Sequence, residues 1–343
     1  MRRAAAAGVV AALVVWLAVL GVAAQPAVHH AYDALAIRDG GTVWPSLSLR
    51  PKDEKYFLPV AILNHIEGPF QVLFLNAFYF VIGDALPLDP AVTQVPNTIF
   101  ALASAGLAYL LVRRLVSARA AVCTALAFAL MPWLGVTIRV PWVFNTASCL
   151  FQLLTLYLYA GFALEPERRL YRIGAPAALA LYLTTGLDWP AFVLVLAAFL
   201  FLAGVLRPAL RNRANVLPAA VMAAYLAWTV ALFAYGRWGD PRRRELYRST
   251  MLLYPFVKAG GAAPFPSLAT VAAYARDTLG PALLAAVAGA GLAWKASSAV
   301  AAPRLTRAFY GAMVLWAVGT VIPLLRMSTS LTYGYVAAVP VAA

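Results

Sequence analysis

Thirteen carboxylates are spread over 343 residues, and one of them, Asp33, stands where a carboxylate can act on something carried in a membrane. It follows a long apolar N-terminal stretch, inside the run His29-His30-Ala31-Tyr32-Asp33-Ala34-Leu35-Ala36-Ile37-Arg38-Asp39-Gly40-Gly41, whose apolar spacing is helical and stops at a glycine pair. An ionised Asp close to a membrane surface can accept a proton from an attacking hydroxyl or amine. The alternative is a solvated Asp at a helix start, favoured by the helix dipole. Farther along, Asn64-His65-Ile66-Glu67-Gly68-Pro69-Phe70 leads into a short apolar segment, and Arg139 and Asn145 bracket Val140-Pro141-Trp142-Val143-Phe144. Arg139 has the planar fork that grips phosphate, or it is an arginine snorkelling at a membrane face.

Asp188 precedes Trp189, a residue type that favours membrane interfaces, and could orient a partner of Asp33. The run from Arg237 to Arg248 holds five arginines, Arg237, Arg242, Arg243, Arg244 and Arg248. They can attract anionic headgroups, a donor phosphate or an acidic acceptor, or form a solvated charge run. Lys52-Asp53-Glu54-Lys55-Tyr56 reads as a solvated turn. The three histidines, His29, His30 and His65, have no metal-ligand spacing, so no metal site is assigned and a role for a divalent ion stays open. Cys123 and Cys149 are too far apart for a zinc or redox pair and read as core residues. P-loop, GxSxG, HExxH and CxxC patterns do not occur.

The elements that must position these residues are apolar. With 63% hydrophobic and 12% charged residues, and a mean hydropathy of +0.79, a soluble globular fold is excluded, because no compact body could hide so much apolar surface. The net charge of +14 does not indicate nucleic acid. Its arginines fall in pairs at the ends of apolar runs, as membrane topology and lipid headgroups require.

Runs long enough to span predict helices at Ala4 to Ala24, Val95 to Val112, Ala120 to Val136, Trp142 to Leu164, Ile173 to Leu187, Pro190 to Leu206, Val216 to Tyr235, Leu279 to Trp294 and Phe309 to Leu325. The first could be a signal peptide, but its apolar run is too long and reads better as an uncleaved span. Residues 70–82 form an apolar segment of about 13 residues, too short to cross and read as an interfacial helix. The run from Leu331 to Ala343 is also too short, which reads as a truncated C-terminus. The predicted fold is an all-α polytopic membrane protein of about 9 to 10 transmembrane helices. It forms a single domain over residues 1–343, with a long first external loop at 25–92 and a second at 236–278.

With the N-terminus inside, fourteen of the 27 basic residues and only Glu165 and Glu167 among the 13 acidic ones fall on the inner side. The excess follows the positive-inside rule. Eleven carboxylates then lie outside, so the chemistry is expected there.

This layout resembles the type C membrane glycosyltransferases, in particular the protein O-mannosyltransferase and aminoarabinose transferase group. The likeness rests on the outward first helix, the early loop Asp, the Glu67-Gly68-Pro69 lead-in, the Arg113-Arg114 stop and the Arg139 to Asn145 spacing, and covers roughly Ala4 to Leu206. It implies an inverting transferase that moves a sugar from a polyprenyl-phosphate carrier to a lipid, glycan or protein, in a bacterial inner membrane with the site facing outward. Asp33 would be the base, with Glu67, His65, Arg139, Asn145, Asp188, Arg237 and Arg242 in binding roles and no cofactor. Three positions depart from the family pattern: Asp33-Ala34 stands for Asp-Glu, Asn145 for a second Asp, and Leu187-Asp188-Trp189-Pro190 for a Lys-bearing turn. The departures keep a non-catalytic assembly partner open as an alternative. A transporter is less favoured, because the predicted spans hold almost no ionisable residue.

The predicted topology has a direct test. With Cys123 and Cys149 replaced by Ser, Lys258→Cys should react with a membrane-impermeant thiol reagent in intact cells and Arg168→Cys only after lysis; the reverse pattern overturns the orientation.

Overall fold

The computed structural model describes residues 94–131, 134, 143–185, 189–224, 227, 269, 273 and 303–316. Among them the regular structure is entirely helical: α1 (Gln94–Leu115), α2 (Ala118–Ala129), α3 (Val143–Leu164), α4 (Arg169–Leu183), α5 (Trp189–Ala203), α6 (Leu206–Leu210), a 3-10 turn (Arg213–Asn215) and α7 (Pro303–Trp316). Residues 216–224 are also helical. Two stretches, Val95–Leu115 and Thr146–Leu164, are long and apolar enough to cross a membrane, whereas Ala118–Ala129 and Phe192–Ala203 are apolar but shorter. The expected loops at 25–92 and 236–278, the helix at 70–82, the first span, the span at 279–294 and the run at 331–343 lie outside the described residues, apart from Ala269 and Ala273 in the second loop, which are helical.

The helices pair where small residues let backbones approach. On α1, Ala101, Ala105, Ala108, Val112 and Leu115 recur at spacings of three and four and are all buried, the stripe that one helix face must present to its neighbours. It packs in one core cluster with Ala120, Ala127 and Phe128 of α2 and Leu153, Leu156 and Ala160 of α3. The α1–α2 turn is fixed by Ser117, whose hydroxyl accepts from the Ala120 N–H at 3.2 Å, a serine N-cap that satisfies one of the orphan donors of α2. Between α3 and α4, Gly161 leaves room for the Tyr171 ring; a Cβ there would come within 2.5 Å of it.

Several ends differ from the sequence expectation. α4 starts at Arg169 instead of Ile173, because its arginines are accommodated in the first helical turn. It stops at Leu183 instead of Leu187, where Thr184 and Thr185 turn their hydroxyls onto the Leu181 and Tyr182 carbonyls at 2.6 and 2.7 Å. Such back-bonding offers the backbone another partner than the next turn. α2 ends at Ala129, ahead of Pro132, a residue that disfavours helix in its predecessor. α5 ends at Ala203 because Gly204 takes φ +80°, and the Gly204 and Val205 amides donate to the Phe201 and Leu200 carbonyls at 2.9 Å each. That pattern is a Schellman cap. α7 starts at Pro303, two turns ahead of the expected Phe309, with proline in the first turn where its missing N–H costs nothing.

Gly161→Ala should therefore lower the unfolding midpoint in detergent, by overpacking that costs about 1–3 kcal/mol. Gly106→Ala, where nothing lies within 4 Å of the new Cβ, should leave it unchanged or raise it. Equal effects at both positions would show that the Tyr171 contact is not tight.

Candidate functional site

Hydrogen bonds between helices line up their ends. At one end, the Arg114 guanidinium donates to the Tyr171 hydroxyl at 2.9 Å and pairs with Glu165 at 3.1 Å. Its carbon also sits 4.7 Å from the Tyr171 ring centroid and 5.5 Å from that of Tyr157, a cation–π arrangement. Arg168 pairs with the other oxygen of Glu165 at 3.2 Å. α7 joins this end by its N-terminus: Thr306 Oγ1 donates to the Leu115 carbonyl at 2.5 Å, and Arg304 Nε to the Leu202 carbonyl at 3.4 Å. Both carbonyls are the unused acceptors that close a helix, and a cation there complements the dipole.

The consequence is a strict segregation. Every charged side chain among the described residues belongs to a terminal turn or connection at this end: Arg113 and Arg114, Arg119, Glu165 and Glu167, Arg168, Arg169 and Arg172, Arg207, Arg211 and Arg213, Arg304 and Arg307.

The opposite end carries hydroxyls and amides. Thr146 Oγ1 donates to Asn97 Oδ1 at 2.7 Å, joining the starts of α3 and α1. Ser148 Oγ donates to Thr185 Oγ1 at 2.8 Å, and Gln152 Nε2 to the Tyr182 hydroxyl at 3.1 Å, joining α3 to the end of α4. All of these residues are buried. The Tyr182 ring meets Phe192 of α5 at 4.6 Å between centroids, and Phe192 meets Trp316 of α7 at 5.2 Å, both edge to face. Thr155 continues the polar stripe one turn deeper, and its hydroxyl is enclosed without a hydrogen-bond partner among the described residues.

Of the residues given catalytic or binding roles from the sequence, Asn145 alone falls on a described element. It occupies the first turn of α3, one residue before Thr146. Asp33, His65, Glu67, Arg139, Asp188, Arg237 and Arg242 lie outside the described residues. The chain on either side of Asp188 is described: Thr185 closes α4 and Trp189 opens α5, both at the hydroxyl-bearing end. Asn145, Thr185 and Trp189 thus belong to the same end of the bundle.

Among the described residues no group of three His, Cys, Asp or Glu could hold a metal ion. Cys149 is buried in the core and Cys123 is partly buried, with no disulfide between them. The hydroxyls and amides at the polar end are buried and bonded to one another across helices, and among the described residues no carboxylate or histidine lies with them. The buried partners Asn97, Thr146, Ser148 and Thr185 were not anticipated. Their signal was the spacing of Ser148, Gln152 and Thr155 by four and three within an apolar run, one helix face carrying polar groups. No protein-family model matches the chain, and no curated protein matches it in sequence.

A double-mutant cycle of Ser148→Ala and Thr185→Val, read by unfolding in detergent, should give a coupling of about 0.6 kcal/mol, the usual size for a hydrogen bond between membrane helices. Additive effects would mean that the two hydroxyls do not hold α3 to α4.

Proposed function

We propose that the chain is a multi-pass protein of the inner membrane and an inverting glycosyltransferase of type C, drawing sugar from a polyprenyl-phosphate carrier on its outer side. The observation that carries this reading is the segregation of charge: every described charge sits at one end of the helices, and the buried interhelical pairs formed by Asn97, Thr146, Ser148, Gln152 and Thr185 gather at the other. In a bilayer the arginine end faces the cytoplasm. The polar end then faces the compartment reached by loops 25–92 and 236–278, which hold ten of the thirteen acidic residues, Asp33 among them, all but Glu165, Glu167 and Asp188. Two helices of spanning length and apolar composition support membrane residence.

A sugar on polyprenyl phosphate already has a good leaving group. The protein must align an acceptor behind the anomeric carbon, take its proton and stabilise the departing phosphate. Asp33 takes the proton from the acceptor hydroxyl or amine as that atom attacks, and the carbon–oxygen bond to phosphate breaks with inversion. Arg139, Arg237 and Arg242 are the cations available for the phosphate. Glu67, His65, Asn145 and Asp188 bind sugar or acceptor hydroxyls.

In membranes carrying the protein, label from a polyprenyl-phosphate sugar should pass to endogenous acceptors, and Asp33→Asn should lower the rate by about 10²–10⁴-fold, the range for a lost general base. Undiminished transfer by a normally inserted Asp33→Asn removes the assigned base. No transfer from any of a panel of donors favours the second reading, a non-catalytic assembly partner, which the Ala34, Asn145 and Leu187 to Pro190 departures support.

A further inference from the structure

Pro176 lies inside α4 and has no N–H to give to the carbonyl four residues back, that of Arg172. The missing donor comes from elsewhere in the chain: Asn212 Nδ2 reaches the Arg172 carbonyl at 2.6 Å. Asn212 also caps the 3-10 turn, accepting from the Ala214 N–H at 3.1 Å, and Asn215 Nδ2 donates to the Ala209 carbonyl at 2.7 Å. Two asparagines therefore fold residues 204–215 into a hook and pin it to α4.

The hook brings Arg211 and Arg213, the neighbours of Asn212, to the side of Arg172, with Arg207 one turn away from Arg211 on α6. All four arginines are exposed. Neither ion pair formed by Glu165 involves them, and the hook contains no acidic residue. Beside them Leu210 and Val216 are 69% and 66% exposed. Cations with no ion-pair partner among the described residues and bare apolar side chains together on one turn complement a surface that is anionic outside and hydrocarbon beneath.

We infer that the hook, with Arg172, Arg207, Arg211 and Arg213, is a docking site for the phosphate-bearing headgroups of anionic lipids in the cytoplasmic leaflet. The guanidinium groups hold the phosphate oxygens, and Leu210 and Val216 enter the acyl boundary. The assignment rests on the membrane reading above and is independent of sugar transfer.

The test uses the full chain in vesicles of phosphatidylcholine with and without phosphatidylglycerol. Recovery of wild type with the vesicles after carbonate washing is scored first, because a washed-off chain refutes the membrane reading itself. Phosphatidylglycerol retained per protein after mild detergent extraction is then compared between wild type, the combined Arg172→Gln, Arg211→Gln and Arg213→Gln variant, and a control with Arg113→Gln, Arg119→Gln and Arg307→Gln. Retention should fall by about five-fold for each hook arginine removed, the effect of one basic residue at an anionic surface, and less in the control. An equal fall in both, or none in either, overturns the site; displacement of the lipid by inorganic phosphate would do the same by showing a soluble ligand. Asn212→Ala keeps every charge and releases the hook, so it should also reduce retention, and unchanged retention in that variant overturns the role of the pinned geometry even if the triple variant does not fold.

Discussion

Backbone carbonyls left without a donor in their own helix, buried at Leu115 and exposed at Leu202 and Arg172, are the constraint on which this structure depends. A buried carbonyl without a donor is costly, and the last four carbonyls of each helix have none within the helix. Thr306 answers Leu115 at the end of α1, and Arg304 answers Leu202 at the end of α5. One short stretch of α7 thereby fixes the ends of two helices about 190 and 100 residues away in sequence, as the separations of 191 and 102 show. The same need explains Asn212 on the carbonyl exposed by Pro176.

Once those ends are aligned, the remaining contacts fall into two kinds. Arginines that close helices gather around Glu165, Tyr157 and Tyr171, where carboxylate, hydroxyl and ring faces receive them. At the other end hydroxyls and amides pair across α1, α3 and α4, and Tyr182, Phe192 and Trp316 carry the packing on to α5 and α7. Small residues between the two ends, with Gly161 beneath Tyr171, allow the close approach that both require.

Much of the helical framework was legible because apolar runs ending in arginine have few alternatives. α3 begins within one residue of the expected Trp142 and ends at the expected Leu164. Boundaries shifted where a single residue controls the local backbone: Gly204 ends α5 early, two threonines end α4, and arginines taken as a connection form the first turn of α4. For the candidate site, the sequence offered residue types and the order of loops. It could not pair Asn97 with Thr146 or Ser148 with Thr185, because 49 and 37 residues separate the partners and nothing local specifies which helices meet.

By itself the sequence determined what its composition and periodicity force: apolar helices with arginines at their ends. Those follow from the exclusion of apolar surface from water and from the high cost of placing a charge among hydrocarbon. Only the tertiary structure decided which ends lie together, which carbonyl each side chain answers, and that Pro176 and Asn212 hold the arginine hook. These depend on contacts between residues far apart in the chain, selected by packing and hydrogen-bond geometry that no local pattern encodes.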